Sequence, residues 1–197
     1  MIERIEYLEK IKKWKDKDVI KVVTGIRRCG KSTLFNLYID YLKSIGIKED
    51  HIISINLESL DYSFSDYKEL YDYVINLIKD KNKYYVFLDE IQNIPDFQRV
   101  VDALYIKKNL DVYITGSNAM LLSGELATLL SGRYIEIKML PLSFKEYKDY
   151  FNVVGDEKLY LRYINNSSFP YTLKLENSDE IDEYLESIYN TIIIKDI

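Results

Sequence analysis

The sequence predicts an α/β fold in which a five-stranded parallel sheet is covered by helices on both faces. Short apolar runs rich in β-branched residues alternate five times with segments whose apolar residues recur at helical spacing. A glycine-rich stretch lies between the first predicted strand and the helix that follows it. The predicted strands cover residues 18–24, 51–59, 84–90, 111–118 and 133–140, and the predicted helices cover 2–14, 32–46, 67–81, 95–109 and 119–132.

Composition is that of an ordinary globular protein with one domain and a small appendage. The 197 residues are 47% hydrophobic and 30% charged. The 27 basic and 32 acidic residues give a net charge of −5, which argues mildly against a general nucleic-acid-binding role. The single cysteine cannot form an internal disulfide, and neither a membrane span nor a signal peptide is evident. We therefore expect a cytoplasmic protein.

The order of predicted elements divides the chain into three parts. An N-terminal helix occupies residues 1–17, the α/β core 18–140, and a helical segment 141–197, in which three helices follow Pro141. The last helix ends in apolar residues up to Ile197 without a capping glycine, which predicts a longer natural chain. Many of the 19 tyrosines stand among charged residues and are expected at half-exposed helix edges. His51 is expected to be a solvated loop residue.

The stretch GIRRCGKS, Gly25 to Ser32, has the spacing of a phosphate-binding loop. A loop that enters a helix N-terminus offers unpaired N–H groups and the positive end of the helix dipole to an anion. Lys31 is expected to reach the β- and γ-phosphates, and the Ser32 hydroxyl to bind Mg²⁺. The residues predicted to contact the nucleotide are Gly25, Ile26, Arg27, Arg28, Cys29, Gly30, Lys31, Ser32 and Thr33.

Three of these residues fill variable positions of the loop. Arg27 and Arg28 are expected to be solvated or to form peripheral ion pairs, although contact with phosphate is an alternative. The side chain of Cys29 is expected only to fill space in the loop, with no chemical role. Its place beside a helix N-terminus tends to lower the pKa of a thiol, which leaves a redox switch as the alternative.

Acidic and amide side chains follow two further strands. Asp89 and Glu90 end the third strand in YYVFLDE, where a carboxylate is needed beside a Mg²⁺–triphosphate site. We expect Asp89 to bind Mg²⁺ and Glu90 to activate water. The fourth strand ends in YITGSN and is expected to bring Ser117 or Asn118 near the γ-phosphate, where the amide of Asn118 can orient water.

Two peripheral residues complete the predicted site. Arg133 precedes the fifth strand and is a candidate arginine finger for the γ-phosphate of a neighbouring subunit, with a surface arginine as the alternative. Asn56 could contact Glu90 in an inactive state, but an ordinary strand-end residue is the preferred interpretation. No N-K-x-D stretch follows the fourth strand, which favours ATP over GTP.

The chain resembles the predicted ATPases of the AAA+ superfamily found in bacteria and archaea. In that family an N-terminal AAA domain precedes a C-terminal domain of unknown function, often described as restriction-endonuclease-like. The resemblance covers nearly the whole chain and is carried by VVTGIRRCGKSTL, YYVFLDEIQNI, YITGSNAMLLSGELATLLSGRYIEIKMLPLSFKEY and FPYTL.

The resemblance implies a P-loop NTPase fold of three αβα layers, the strand order 5-1-4-3-2 and a small helical lid after Pro141. It also implies a Walker A motif from Gly25 to Ser32, a Walker B motif at Asp89 and Glu90, sensor-1 at Asn118 and an arginine finger at Arg133. Two features depart from the family. Ser167-Ser168 replaces an expected Gly-Gly, and the family's C-terminal domain is missing. Arg162 is only a weak candidate for sensor-2.

We therefore expect slow hydrolysis of Mg·ATP to ADP and phosphate, with Lys31, Glu90, Asn118 and Arg133 as the catalytic residues. The expected partners are ATP or ADP, further copies of the chain joined through Arg133, and the missing C-terminal domain. Three alternatives stay open: a nucleotide-gated scaffold with little turnover, a small-molecule kinase that would tolerate loss of Glu90, and a DNA-acting motor stimulated by DNA.

Overall fold

A computed structural model describes residues 2–117, 130, 132–152 and 156–196. All five strands pair in parallel in the order β2-β3-β4-β1-β5, which confirms the predicted sheet. Most of the helix predicted over 119–132 lies outside the described residues. The strands are β1 (Ile20–Thr24), β2 (Ile52–Asn56), β3 (Tyr84–Asp89), β4 (Leu110–Gly116) and β5 (Tyr134–Lys138).

Helices flank the sheet and continue after it. Several of them are shorter than predicted. The helix predicted over 67–81, for example, ends at Leu77 because Ile78 adopts an extended backbone. Short 3-10 helices cover Glu49–His51, Ile91–Asn93 and Pro170–Lys174. The α-helices are α1 (Ile5–Lys13), α2 (Lys31–Ser44), α3 (Tyr67–Leu77), α4 (Phe97–Tyr105), α5 (Phe144–Phe151), α6 (Asp156–Asn166) and α7 (Ser178–Asp196).

The sheet separates two hydrophobic cores. Successive residues of a strand point to opposite faces, so Val22 enters the core beneath α3 and α4 while Val23 enters the core beneath α1 and α2. Every residue of β1, β3 and β4 is buried, which explains why these strands are mostly apolar rather than alternating. These three buried strands therefore fix the points at which the loops after β1, β3 and β4 begin.

The C-terminal helices (α5, α6 and α7) follow β5, and a small core of their own lies at α5 and α6. Leu142, Tyr147 and Leu159 are buried in it, and Ile2 packs against it from the other end of the chain. The turn at Ser167-Ser168 forms without glycine: Ser167 has a left-handed backbone with φ of 69°. Leu142 N donates to Ser168 O at 2.7 Å, which ties this turn to the start of α5.

The expectation of a solvated His51 is wrong, and the tyrosines divide into two groups. His51 is buried, its Nε2 lies 3.1 Å from Asp80 Oδ2, and its ring meets Tyr84 edge-on. Many tyrosines are half-exposed at helix edges as expected, among them Tyr7, Tyr41 and Tyr71. Five others are core residues, because hydroxyl partners inside the protein satisfy them or because the ring fills a core. The fully buried tyrosines are Tyr38, Tyr84, Tyr85, Tyr113 and Tyr147.

A buried ion pair connects β1 and β4 at the end of the sheet where these strands begin. Lys21 Nζ donates to Asp111 Oδ1 at 2.5 Å, and both side chains are almost fully buried. Asp111 Oδ2 also accepts from Asp16 N and from Tyr113 OH, both at 2.8 Å. Burial lowers the pKa of Lys21, and the Asp111 carboxylate opposes that shift. The pair is fully hydrogen-bonded, so removal of one partner leaves a buried charge.

Replacement of Lys21 by Met should lower the free energy of unfolding by about 3 kcal/mol, because the Asp111 carboxylate keeps its burial and loses its counter-ion. Urea denaturation measures the change. The double variant Lys21→Met/Asp111→Asn should recover part of the loss, and Lys43→Met, which breaks an exposed pair with Glu49, should cost much less. Equal losses for the buried and the exposed pair would contradict this account.

Candidate nucleotide-binding site

The carboxyl ends of β1 and β3 and the first turn of α2 border a cavity of about 690 Å³. The N-terminal segment contributes Ile2 and Arg4 to its wall, and the C-terminal helices with their connections contribute residues such as Tyr171 and Tyr184. The predicted loop residues Arg28, Cys29, Gly30, Lys31, Ser32 and Thr33 line the cavity together with Glu90.

The loop after β1 is shaped by two glycines. Gly30 is left-handed with φ of 104° and begins α2 without a side-chain cap, so the N–H groups of the first turn have no protein acceptor from a cap. A Cβ on Gly25 would lie 2.4 Å from Met139 O and 2.8 Å from Cys29 Sγ. The loop therefore lies directly on the backbone that follows β5. The uncapped first turn of α2 and the helix dipole suit a phosphate group.

Lys31 turns back over its own loop and is buried. Its Nζ lies 3.3 Å from Glu90 Oε1 and donates to Gly25 O at 3.2 Å and Ile26 O at 3.4 Å. These contacts are longer than ordinary charge-assisted hydrogen bonds. The structure thus brings together the lysine and the glutamate that the sequence assigned to one site, and pairs them directly.

Thr115 organises the acidic residues from the neighbouring strand. Its hydroxyl donates to Asp89 Oδ1 and accepts from Glu90 N at 2.9 Å. Glu90 has a left-handed backbone with φ of 55°, a strained conformation that occurs at functional sites. Sequence reasoning missed Thr115. The signal was available, because the β3–β4 pairing places the residue before Gly116 beside the end of β3.

The variable loop residues have separate roles. Arg27 forms an ion pair with Glu58 at 3.6 Å, which confirms the expectation of a peripheral pair. Arg28 is exposed, and its guanidinium lies 5.4 Å from the centre of the Tyr184 ring in α7. Cys29 is fully buried against Gly25 as filler. The expected lowering of its pKa is wrong: burial raises the pKa of the thiol and outweighs the charge of Lys31.

Four of the remaining predicted residues, Asp89, Asn56, Arg133 and Arg162, are not part of the cavity wall. Asn56 Oδ1 accepts from Glu58 N at 2.9 Å, as expected of an ordinary strand-end residue. Arg133 is exposed and forms an ion pair with Asp102 at 2.7 Å. Arg162 stacks on Phe151 at 4.7 Å and does not line the cavity. Asn118 lies outside the described residues.

Ser117 and Arg4 are buried polar residues beside the predicted site. Ser117 is 1% exposed, and its Oγ has no hydrogen-bond partner within the described part of the chain. Arg4 donates to Cys29 O at 3.1 Å and Leu140 O at 2.6 Å, and pairs with Glu146 at 2.8 Å. No local pattern could reveal Arg4, because its carbonyl partners are 25 and 136 residues away.

A family model described as an AAA domain matches residues 17–148. The chain belongs to the AAA domain family. This assignment agrees with the fold and with the loop geometry at Gly25 to Ser32. It supports a nucleotide-binding ATPase and confirms the resemblance stated from the sequence, whereas the C-terminal domain that the resemblance implies stays a prediction.

Relatives of this AAA chain occur in bacteria and archaea. An uncharacterized protein of Haemophilus influenzae is 43% identical over 206 residues, which cover 100% of this chain and 50% of the relative. The uncharacterized protein MJ1544 of Methanocaldococcus jannaschii is 30% identical over 194 residues, covering 90% of this chain and 42% of the relative. The chain spans about half the length of these curated relatives.

Solved structures support the same fold. The Walker-type ATPase PABY2304 of Pyrococcus abyssi superimposes with a TM-score of 0.57 at 16% identity, over 98% of this chain and 74% of that one. AMPPCP-bound DnaA from Aquifex aeolicus gives a TM-score of 0.55 at 11% identity, over 95% and 61%. Among the described helices of this AAA chain, none is long and apolar enough to cross a membrane.

Replacement of Gly25 by Ala should lower the free energy of unfolding by about 3 kcal/mol, because the new Cβ would meet Met139 O. Gly46→Ala is the matched control. Gly46 is also left-handed, but a Cβ there meets no atom within 4 Å, so only about 1 kcal/mol of backbone strain is expected. Chemical denaturation measures both, and equal losses would contradict the close packing of the loop.

Proposed function

We propose that this AAA-family chain binds Mg·ATP in the cavity and hydrolyses it to ADP and phosphate. One observation carries the proposal: a buried lysine at an uncapped helix N-terminus is paired with a buried glutamate from the end of β3. A phosphate group would find both the positive charge and the N–H donors at this point. Glu90 lies beside this positive charge and can act as the base.

Lys31, Ser32 and Asp89 are the side chains proposed to bind the nucleotide and its Mg²⁺. The first-turn N–H groups of α2 and Lys31 hold the phosphates, and Ser32 and Asp89 bind Mg²⁺. Thr115 occupies Asp89 Oδ1, and Oδ2 has no hydrogen bond to any residue that the structure describes, so an oxygen ligand suited to Mg²⁺ remains. The ion would neutralise charge on the phosphate oxygens.

Glu90 is proposed to change partner during the reaction. In the structure its carboxylate pairs with Lys31. Phosphates compete for the same ammonium group, and Glu90 Oε1 is then available to a water molecule. As the water oxygen bonds to the γ-phosphorus, its proton passes to Glu90, and the bond from phosphorus to the bridging oxygen breaks with its electron pair leaving on ADP. Asn118 is proposed to orient this water.

A nucleotide-gated scaffold with little turnover is the second candidate function. The buried Arg4 favours it, because its guanidinium joins the loop carbonyl of Cys29 to Glu146 of α5. A shift of the loop on nucleotide binding would be passed to the C-terminal helices through these contacts. Homo-oligomerisation, a cytoplasmic location and action on a further C-terminal domain also belong to the proposal. A kinase or a DNA-acting motor has no supporting contact among the described residues.

Glu90→Gln should reduce phosphate release from Mg·ATP by at least roughly 100-fold, because the amide cannot accept the proton. The affinity for Mg·ATP should be unchanged or higher, since the carboxylate no longer competes for Lys31. Glu58→Gln, which alters another acid near the loop, is the control and should retain activity. A Glu90→Gln variant that hydrolyses ATP within threefold of wild type would contradict the proposal.

ATP binding without phosphate release by the wild-type chain would favour the scaffold instead. Failure to bind ATP at all would exclude both functions. Phosphate release and equilibrium binding are therefore measured on the same samples.

Arg133→Ala should reduce turnover by roughly 1,000-fold if Arg133 acts as a finger in a neighbouring subunit. A mixture of Arg133→Ala and Lys31→Met chains should then regain activity, because Lys31→Met subunits supply Arg133 to intact loops. Asp102→Asn is the control: it removes the partner of Arg133 within the chain and keeps the arginine. Full activity of Arg133→Ala alone, or no recovery in the mixture, would contradict this role.

A further inference from the structure

Both oxygens of the Glu90 carboxylate are held, each by a different part of the protein. Oε1 lies 3.3 Å from Lys31 Nζ, and Oε2 accepts a hydrogen bond from Gln92 Nε2 at 2.6 Å. The lysine belongs to the loop that is proposed to bind phosphate. The glutamine follows Glu90 in the 3-10 helix Ile91–Asn93 and does not line the cavity. Only one of the two contacts is therefore exposed to competition from a nucleotide.

The 3-10 helix that carries Gln92 is fixed to the core. Ile91 is fully buried, and Ile94 is 4% exposed. Asn93 N donates to Glu90 O at 3.1 Å, and Asn93 Nδ2 donates to Leu57 O at 3.3 Å. The position of the Gln92 amide thus depends on the core beneath α3 and α4 rather than on the phosphate-binding loop.

Only one of the two orientations of the Gln92 amide allows the hydrogen bond to Glu90. A carboxylate offers acceptors alone, so Nε2 must face Glu90. The other end of the amide, Oε1, is buried without a partner among the residues described. The short bond to the charged carboxylate offsets the cost of the unpaired amide oxygen, because charge-assisted hydrogen bonds are stronger than neutral ones.

We propose that Gln92 is a positioning residue that fixes Glu90 Oε2 while Oε1 passes from Lys31 to the attacking water. This inference rests on the proposed hydrolysis of ATP. Once phosphates engage Lys31, Oε1 loses its partner, and a glutamate side chain with one free end could follow the lysine or rotate away. The bond from Gln92 restricts that rotation and keeps Oε1 directed to the cavity.

Gln92, and not Asn56, is the residue that contacts Glu90. A contact between Asn56 and Glu90 was only the alternative interpretation of the sequence, and Asn56 Oδ1 accepts from Glu58 N, as expected of an ordinary strand-end residue. Gln92 lies two residues from Glu90 in the 3-10 helix Ile91–Asn93. Because it does not contact the loop or Lys31, its loss should affect the rate of the chemical step and leave nucleotide binding nearly unchanged.

The test compares steady-state phosphate release from Mg·ATP by the wild-type chain, Gln92→Met and Asn93→Ala. Gln92→Met keeps the side-chain length and removes the donor. It should lower kcat roughly 10- to 100-fold, the effect of a misplaced base, with KM within threefold. Asn93→Ala removes the long side-chain bond to Leu57 O without touching the carboxylate, and the buried Ile91 and Ile94 still hold the 3-10 helix, so both constants should stay within threefold. Gln92→Asn, whose shorter amide cannot reach Glu90, replaces Gln92→Met if that chain does not fold.

The double variant Glu90→Gln/Gln92→Met distinguishes positioning from a general structural effect. It should be no slower than Glu90→Gln alone, because Gln92 acts only through the carboxylate. Any of three results overturns the inference. The kcat of Gln92→Met is within threefold of wild type, Gln92→Met raises KM without lowering kcat, or Asn93→Ala lowers kcat as much as Gln92→Met does.

Failure of the proposed function gives a different pattern. If the wild-type chain releases no phosphate, or if Glu90→Gln is as fast as wild type, the hydrolytic role of Glu90 is wrong and the role of Gln92 is overturned with it. If Glu90→Gln is slow and Gln92→Met is not, hydrolysis by Glu90 stands and only the role of Gln92 is overturned.

Discussion

The ion pair between Lys31 and Glu90 joins the two halves of the site, and the surrounding contacts depend on it. Removing both charges from water is unfavourable unless each is hydrogen-bonded. Two loop carbonyls satisfy the ammonium group, and Gln92 satisfies the carboxylate. The pair holds the Lys31 ammonium group against the end of β3, beside two carbonyl groups of its own loop. A polyanion that binds the first turn of α2 would compete with Glu90 for that lysine, so binding and release of the base are linked.

The sheet makes this pair attainable. In the order β3-β4-β1, the ends of β3 and β1 flank β4, and Thr115 at the end of β4 fixes both Asp89 and Glu90. On the opposite side, Arg4 connects the loop at Cys29 to α5 through Glu146. The cavity is therefore enclosed by the sheet, by the N-terminal segment and by the C-terminal helices, and a change in the loop has a direct route to those helices.

Sequence alone predicted the strands, their order and the glycine-rich loop between β1 and α2, because these depend on local patterns and on a family resemblance. It also placed Lys31 and Glu90 in one site. It could not predict Arg4, whose partners are distant in sequence, or Gln92, whose type is common in exposed turns. Burial was the other source of error. His51 looks polar in the sequence but is buried, and burial rather than the adjacent helix decides the direction in which the pKa of Cys29 shifts.

The most direct test of this account is a crystal structure of the chain with Mg²⁺ and a non-hydrolysable ATP analogue. The account predicts phosphates on the first turn of α2, Lys31 Nζ bound to phosphate oxygen instead of Glu90, and Mg²⁺ between Ser32 and Asp89. Glu90 should keep its bond to Gln92. An analogue bound elsewhere, or a Lys31–Glu90 pair that persists beside the bound phosphates, would contradict it.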